Sequence, residues 1–175
     1  MGAVISDDGL YRYELTRRIP SPLRWIKPVT FVMLNPSTAD AELDDPTIRR
    51  CTSFAKKFGG TKLRVVNLFA YRATDPADLK VALAKGTDIV GPENDLHLRR
   101  AVALGNGPIF VAWGARPTGA LGRLFDERVA FVASLTPTWG CLAKTKHGQP
   151  RHPLYLPSAS VAIPWSLDDL TGAPQ

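Results

Sequence analysis

Cysteine, histidine and long apolar runs are scarce in this sequence. Its 175 residues include only two cysteines, Cys51 and Cys141, and only three histidines. The cysteines form no CxxC pair, so neither a disulfide framework nor a zinc site is expected, and free thiols are typical of a reducing compartment. No apolar run approaches the roughly 20 residues that a membrane span needs, and the start lacks the pattern of a secretory signal. We therefore expect a cytoplasmic protein with no membrane association, no bound metal and no cofactor.

The overall composition is that of a globular protein. Hydrophobic residues make up 45% and charged residues 22%, and the mean hydropathy is −0.07, which excludes wholesale disorder. The length suits a single domain over 1–175, with an edge strand or hairpin in 1–28, a core in 29–157 and a tail in 158–175. Lysine and arginine exceed aspartate and glutamate by 22 − 16 = +6, which favours a polyanionic partner.

Short apolar runs alternate with helical patterns along the chain. The predicted strands are 11–15, 29–34, 63–68, 109–114 and 129–133. Helices are predicted from Asp45-Pro46 to residue 58, after Asp75-Pro76, after residue 91 and over 117–127, because Asp-Pro supplies an N-cap and a first-turn proline. Solid apolar strands that alternate with helices predict an α/β protein with a three-layer α/β/α fold and a central, mainly parallel sheet.

The polar residues that follow these strands indicate where a ligand would bind. In parallel sheets the ligand crevice lies beyond the carboxyl ends of the strands. Asn35 follows the first core strand and His152 stands in a late polar loop, although an Asn-Pro turn and an exposed loop histidine are common without any function. Asp44 and Asp45 form a possible metal pair, but capping explains Asp45 better.

Aromatic and basic side chains near this edge also allow two interpretations. Phe69 and Tyr71 either pack in the core or face the cleft, and Trp113 fits the core better. A late basic group is either a solvated loop or a phosphate-binding surface. It comprises Lys144, Lys146 and Arg151.

Four long motifs identify a family. Residues 33–40 (MLNPSTAD), 44–51 (DDPTIRRC), 66–76 (VNLFAYRATDP) and 151–156 (RHPLYL) resemble the bacterial family labelled domain of unknown function 1643, over roughly 11–157. That label implies no activity.

A more distant resemblance does imply an activity. Residues 34–37 (LNPS) are similar to the first motif of the uracil-DNA glycosylase superfamily, Gly-x-Asp-Pro-Tyr or Gly-x-Asn-Pro-Gly. Residues 151–154 (RHPL) are similar to its last motif, His-Pro-Ser or Asn-Pro-Ser, and residues 112–114 (AWG) to a strand-ending Trp-Gly. Met33 replaces the glycine of the first motif, and Leu154 replaces the serine of the last.

The resemblance implies hydrolysis of the bond between a base and deoxyribose. Asn35 would position the attacking water, and His152 would donate a hydrogen bond to the departing base. No lysine nucleophile is indicated, so the enzyme would be monofunctional and leave an abasic site. An amide is a weak base, so Asp40, Asp44 or Asp45 would assist if one of them reached the site.

The resemblance also implies contacts to DNA and to an extruded base. The expected base-binding residues are Ser37, Asn67, Phe69 and Tyr71. The expected DNA-binding residues are Thr38, Lys144, Lys146 and Arg151 on phosphates, with Leu154 or Tyr155 wedged into the duplex.

The substrate class follows from one position of the first motif. Ser37 stands where a tyrosine excludes thymine in the uracil-specific enzymes, so a roomier pocket is expected, one that takes a modified pyrimidine such as glucosylated hydroxymethylcytosine in phage DNA. A role in antiviral defence is an analogy with other superfamily members. DNA is the expected partner, with no obligate protein partner. A non-catalytic nucleic-acid-binding module, a nucleoside or nucleotide hydrolase and a metal-dependent nuclease remain alternatives.

Overall fold

The computed structural model describes residues 2–22, 25–37, 43–104 and 106–171. Within these residues, seven strands are present: β1 (Gly2–Ile5), β2 (Arg12–Arg18), β3 (Pro28–Met33), β4 (Lys62–Asn67), β5 (Ile109–Val111), β6 (Trp139–Cys141) and β7 (Ile163–Trp165). The helices are α1 (Pro46–Lys57), α2 (Pro76–Ala84), α3 (Asn94–Ala103), α4 (Gly119–Ala133), α5 (Asp168–Thr171) and a short 3-10 helix (Pro153–Tyr155). The protein is therefore an α/β protein, as predicted. No helix in the described ranges is both long and apolar enough to cross a membrane.

The strands form a single sheet in the order β1-β2-β4-β3-β5-β6-β7. The four central strands β4, β3, β5 and β6 run parallel, whereas β1, β2 and β7 pair antiparallel at the two edges. The prediction of a mainly parallel sheet was thus wrong at the edges. The connection from β1 to β2 is too short for a parallel crossover, so these strands can pair only as a hairpin.

The central strands are buried on both sides because their alternate residues enter two separate hydrophobic cores. Val32, Val66 and Val111 belong to one core, together with apolar residues of α2, α3 and α4. Phe31 and Val65 belong to the other core, which α1 covers. A strand covered on both faces requires the continuous apolar runs by which β3 and β4 were predicted.

The helix starts follow the capping prediction. The Asp45 side chain accepts a hydrogen bond from the Ile48 amide at 2.7 Å, and the Asp75 side chain accepts one from the Ala77 amide at 2.8 Å. In both helices a proline occupies the first turn, where its missing N–H is not needed.

One predicted strand is wrong. Residues 129–133 continue α4 as far as Ala133 and do not form a strand. Leu121, Phe125, Val129 and Val132 recur at helical spacing and are all buried in one core, so the helical period overrides the short apolar run. The short strands β6 and β7 were not predicted, because three residues carry too little periodicity.

Candidate active site

A cavity of about 540 Å³ lies at the carboxyl ends of the parallel strands β3, β4 and β5. Its wall includes the residues that directly follow β3, the first turn of α1, the last residue of β4, the turn after β5 and the 3-10 helix. Of the residues predicted for the site, it brings together Asn35, Ser37, Asn67, His152, Leu154 and Tyr155. The first and last motifs, far apart in the chain, therefore meet at one cavity.

The side-chain amide of Asn35 is held through its nitrogen, which leaves its carbonyl oxygen available to a ligand. Its Nδ2 donates to the Pro36 carbonyl at 2.9 Å and to the Ala73 carbonyl at 2.8 Å. Two carbonyl acceptors can be satisfied only by the NH₂ group, so the orientation of the amide is determined. Asn35 also lines the cavity, and its Oδ1 is suited to accept a hydrogen bond from a ligand or a water molecule.

His152 is held with its Nδ1 as an acceptor. Nδ1 accepts a hydrogen bond from the Leu154 amide at 3.3 Å at the start of the 3-10 helix. Burial lowers the pKa of His152 below its ordinary value, and the negative charge of Asp45 offsets part of this shift. The neutral imidazole with an acceptor at Nδ1 carries its hydrogen on Nε2, which makes Nε2 a donor.

The turn after β5 fixes the loop that carries His152. The Gly114 amide donates to the Pro150 carbonyl at 3.0 Å, and the Trp113 indole donates to the Gln149 side chain at 2.9 Å. Gly114 has a φ of +87°, and a Cβ there would lie 3.8 Å from the His152 Cβ. The positive φ is therefore what favours glycine here, because a Cβ would meet His152 only at an ordinary van der Waals distance. Trp113 is buried in the core, as expected, and also lines the cavity.

Asp45 joins the helix cap to the cavity. One of its carboxylate oxygens accepts from the Ile48 amide, and the other accepts from the Ser37 hydroxyl. Both Asp45 and Ser37 line the cavity. Asp44, by contrast, forms an ion pair with Arg17 at 2.6 Å and does not line the cavity.

Asn67 is a buried polar side chain whose amide finds no partner among the described residues. It is 1% exposed, and within the described part of the chain neither its Oδ1 nor its Nδ2 has a hydrogen-bond partner. Because Asn67 lines the cavity, a ligand there is the available source of its missing hydrogen bonds.

Two basic residues of this cavity were missed by sequence reasoning. Arg12, from β2, is 2% exposed, and Lys80, from α2, also lines the cavity. An arginine at the start of an alternating edge strand gives no local signal of burial. Lys80 gives none either, because its helix has no strong amphipathic pattern.

Several predicted residues lie away from the cavity. Phe69 is fully buried in the core, and Tyr71 packs edge-on against Tyr11. Lys144 is paired with Asp169 at 2.6 Å. The side chains of two further basic residues are exposed and do not line the cavity: Lys146 and Arg151. Thr38 and Asp40 lie outside the described residues.

The remaining nucleophiles and metal-ligating side chains of the described residues do not cluster. Cys51 and Cys141 are free and buried, and burial raises the pKa of both thiols, that of Cys141 to about 11. Across residues 2–22, 25–37, 43–104 and 106–171, no group of three or more histidine, cysteine, aspartate or glutamate side chains is placed to hold a metal ion.

Comparison with known proteins shows the family and no activity. No curated protein and no solved structure matches the chain. The model of the family described as "Protein of unknown function (DUF1643)" matches residues 12–154, which is most of the sequence. The chain therefore belongs to the DUF1643 family.

Proposed function

We propose that the protein is a monofunctional DNA glycosylase that hydrolyses the N-glycosidic bond of a modified pyrimidine and leaves an abasic site. The observation that carries this proposal is the meeting of Asn35 and His152 at one cavity, beside the unpartnered amide of Asn67. A volume of about 540 Å³ lies within the range of roughly 300–1,000 Å³ that is usual for small-ligand pockets.

The arrangement supports the two tasks of this reaction. Asn35 Oδ1, with its amide hydrogens already bound to backbone carbonyls, accepts a hydrogen bond from the attacking water. His152 Nε2–H donates to the base as the C1′–N bond breaks and negative charge develops on the base. A neutral donor suits this task because His152 needs no proton from solvent at neutral pH.

The rim and wall of the cavity support an extruded base as ligand. Tyr155 is 72% exposed at the edge of the cavity, with its ring centroid 5.7 Å from that of His152. An exposed aromatic ring beside a pocket is suited to stack on the DNA bases that remain after extrusion. The small side chain of Ser37 leaves room for a substituted pyrimidine. Helices on both faces of the sheet are compatible with the three-layer fold of the uracil-DNA glycosylase superfamily.

The test uses duplexes that each contain one modified base. Uracil, hydroxymethylcytosine and glucosylated hydroxymethylcytosine are placed in otherwise identical DNA, and alkali-labile abasic sites are measured. We expect cleavage of a modified duplex by the wild-type chain and a loss of at least about 100-fold in Asn35→Ala and His152→Ala. Asn106→Ala and His147→Ala are the matched controls, because these residues are exposed and lie outside the cavity.

The outcomes separate the proposal from a binding module. Salt-dependent DNA binding that survives both active-site substitutions, with no abasic product from any duplex, would identify a non-catalytic module. Cleavage of the uracil duplex alone would support glycosylase activity but refute the proposed preference for a modified pyrimidine.

A nucleoside or nucleotide hydrolase is the second candidate. The pairing of Lys144 with Asp169 removes one expected phosphate contact and so weakens the case for a long DNA-binding surface. Release of the base from free nucleosides or nucleotides, but not from DNA, would establish this alternative.

A further inference from the structure

Asp45 differs from the other aspartate that caps a helix in the same way. Asp45 and Asp75 each precede a proline and accept a backbone N–H in the first turn. Asp75 is exposed and is not part of the cavity wall, whereas Asp45 lines the cavity and is also bonded to Ser37. Capping alone therefore does not explain the position of Asp45.

Asp45 also differs in charge from the other titratable residues that line the cavity in the described part of the chain. In the described part of the chain, the titratable or charged residues of the wall are Arg12 from β2, Asp45 before α1, Lys80 from α2, and His152 and Tyr155 beside the 3-10 helix. Asp45 is the single carboxylate in this set. Each carboxylate oxygen already accepts one hydrogen bond and retains a second lone pair for a further donor.

Hydrolysis of an N-glycosidic bond requires a proton acceptor that the amide of Asn35 does not supply. A water molecule that attacks C1′ must lose a proton, and an amide oxygen is too weak a base to take it. The Ser37 hydroxyl, two residues after Asn35, is hydrogen-bonded to Asp45, and all three residues line the cavity.

We propose that Asp45 is a further catalytic residue, the general base that takes a proton from the water held by Asn35. This inference rests on the glycosylase proposed above. In this step the water oxygen bonds to C1′, and the C1′–N bond breaks with its electron pair on the base. One water proton passes to the Asp45 carboxylate and then to solvent. The base anion accepts a hydrogen bond from His152 Nε2–H and takes its proton from solvent.

The test exploits the fact that asparagine caps helices about as well as aspartate does. Asp45→Asn keeps the cap and removes the negative charge, and Asp75→Asn makes the same change at the helix that does not line the cavity. Asp45→Ser is a second cap-preserving variant if the first folds poorly. For each variant we measure kcat on the best modified duplex, DNA affinity, the thermal midpoint and the NMR titration of His152.

The expected result is a loss of about 100-fold or more in kcat for Asp45→Asn, with DNA affinity and thermal midpoint close to those of Asp75→Asn. The His152 titration should move to lower pH in Asp45→Asn, because the charge of Asp45 raises the pKa of His152. This shift reports that the Asp45 carboxylate lies close to His152, whereas a loss of kcat at an unchanged thermal midpoint separates a general base from a merely structural cap.

Three results would overturn the inference, and they remain distinguishable. Abasic product formed by Asp45→Asn within threefold of the wild-type rate would refute the role of Asp45 and leave the glycosylase standing. No abasic product from the wild-type chain would refute both, and the absence of a His152 shift in a folded variant would show that the carboxylate does not face the cavity.

Discussion

Replacing Asn67 by leucine should make the protein more stable and less active. The Asn67 side chain is buried, and its amide has no hydrogen-bond partner in the described part of the chain. Folding therefore removes water from this amide without replacing its hydrogen bonds, which destabilises the folded state. Leucine has a similar branched shape and no polar atoms, and the neighbouring cavity has room for its additional volume.

The magnitude follows from the cost of burying an unsatisfied amide, about 1–3 kcal/mol in proteins. Taking the low end, the free energy of unfolding should rise by about 1 kcal/mol. For a chain of 175 residues this corresponds to an increase of roughly 2–4 °C in Tm. Binding of the base should weaken, because leucine cannot supply the hydrogen bonds of the amide.

Asn94 is the matched control. It is equally buried and its Oδ1 also lacks a partner among the described residues, but its Nδ2 donates to the carbonyls of Asn67 at 3.1 Å and Leu68 at 3.0 Å. Asn94→Leu should therefore lower the stability by about 2 kcal/mol, because two hydrogen bonds are lost. Thermal unfolding followed by circular dichroism measures both variants. A Tm that falls in Asn67→Leu as much as in Asn94→Leu would refute the assignment of Asn67 as a ligand-binding group.

Three further predictions concern ion pairs and pH. Asp44→Ala should lower the free energy of unfolding by up to about 3 kcal/mol in urea denaturation, because it leaves the buried Arg17 guanidinium without its carboxylate. The NMR titration of His152 should lie below the value of about 6.5 of an unperturbed histidine, and stability should fall as the pH drops below that value, because the unfolded chain then binds the proton more readily. Lys144→Ala should leave DNA affinity and its salt dependence nearly unchanged, because Asp169 already neutralises this ammonium group.

The location of the site could be predicted because it depends on sheet topology and on two local signals. Asn35 follows a buried strand directly, and ligands in such sheets bind beyond the carboxyl ends of the strands. Asn35 and His152 meet at the cavity because β5 lies beside β3 and the turn after β5 is hydrogen-bonded to the loop that carries His152. Capping was equally predictable, since Asp45-Pro46 is a local motif.

What could not be predicted depends on contacts between distant residues. The ion pair between Lys144 and Asp169 joins residues 25 positions apart, and nothing near Lys144 in the sequence indicates it. Arg12 lines the cavity from β2, which the sequence pattern predicts as a half-exposed edge strand but which pairs with β1 and β4. The α4 error has a different, local origin, since a five-residue apolar run fits a strand until its spacing to Leu121 and Phe125 is considered.

Mass spectrometry of the released base is the sharpest test of whether this protein breaks an N-glycosidic bond in DNA. DNA with a single modified pyrimidine is incubated with the wild-type chain, Asn35→Ala and His152→Ala, and the small-molecule fraction is analysed. We expect release of the intact modified base by the wild-type chain and at least about 100-fold less by either variant. Equal release by all three proteins, or none from any modified DNA, would contradict it.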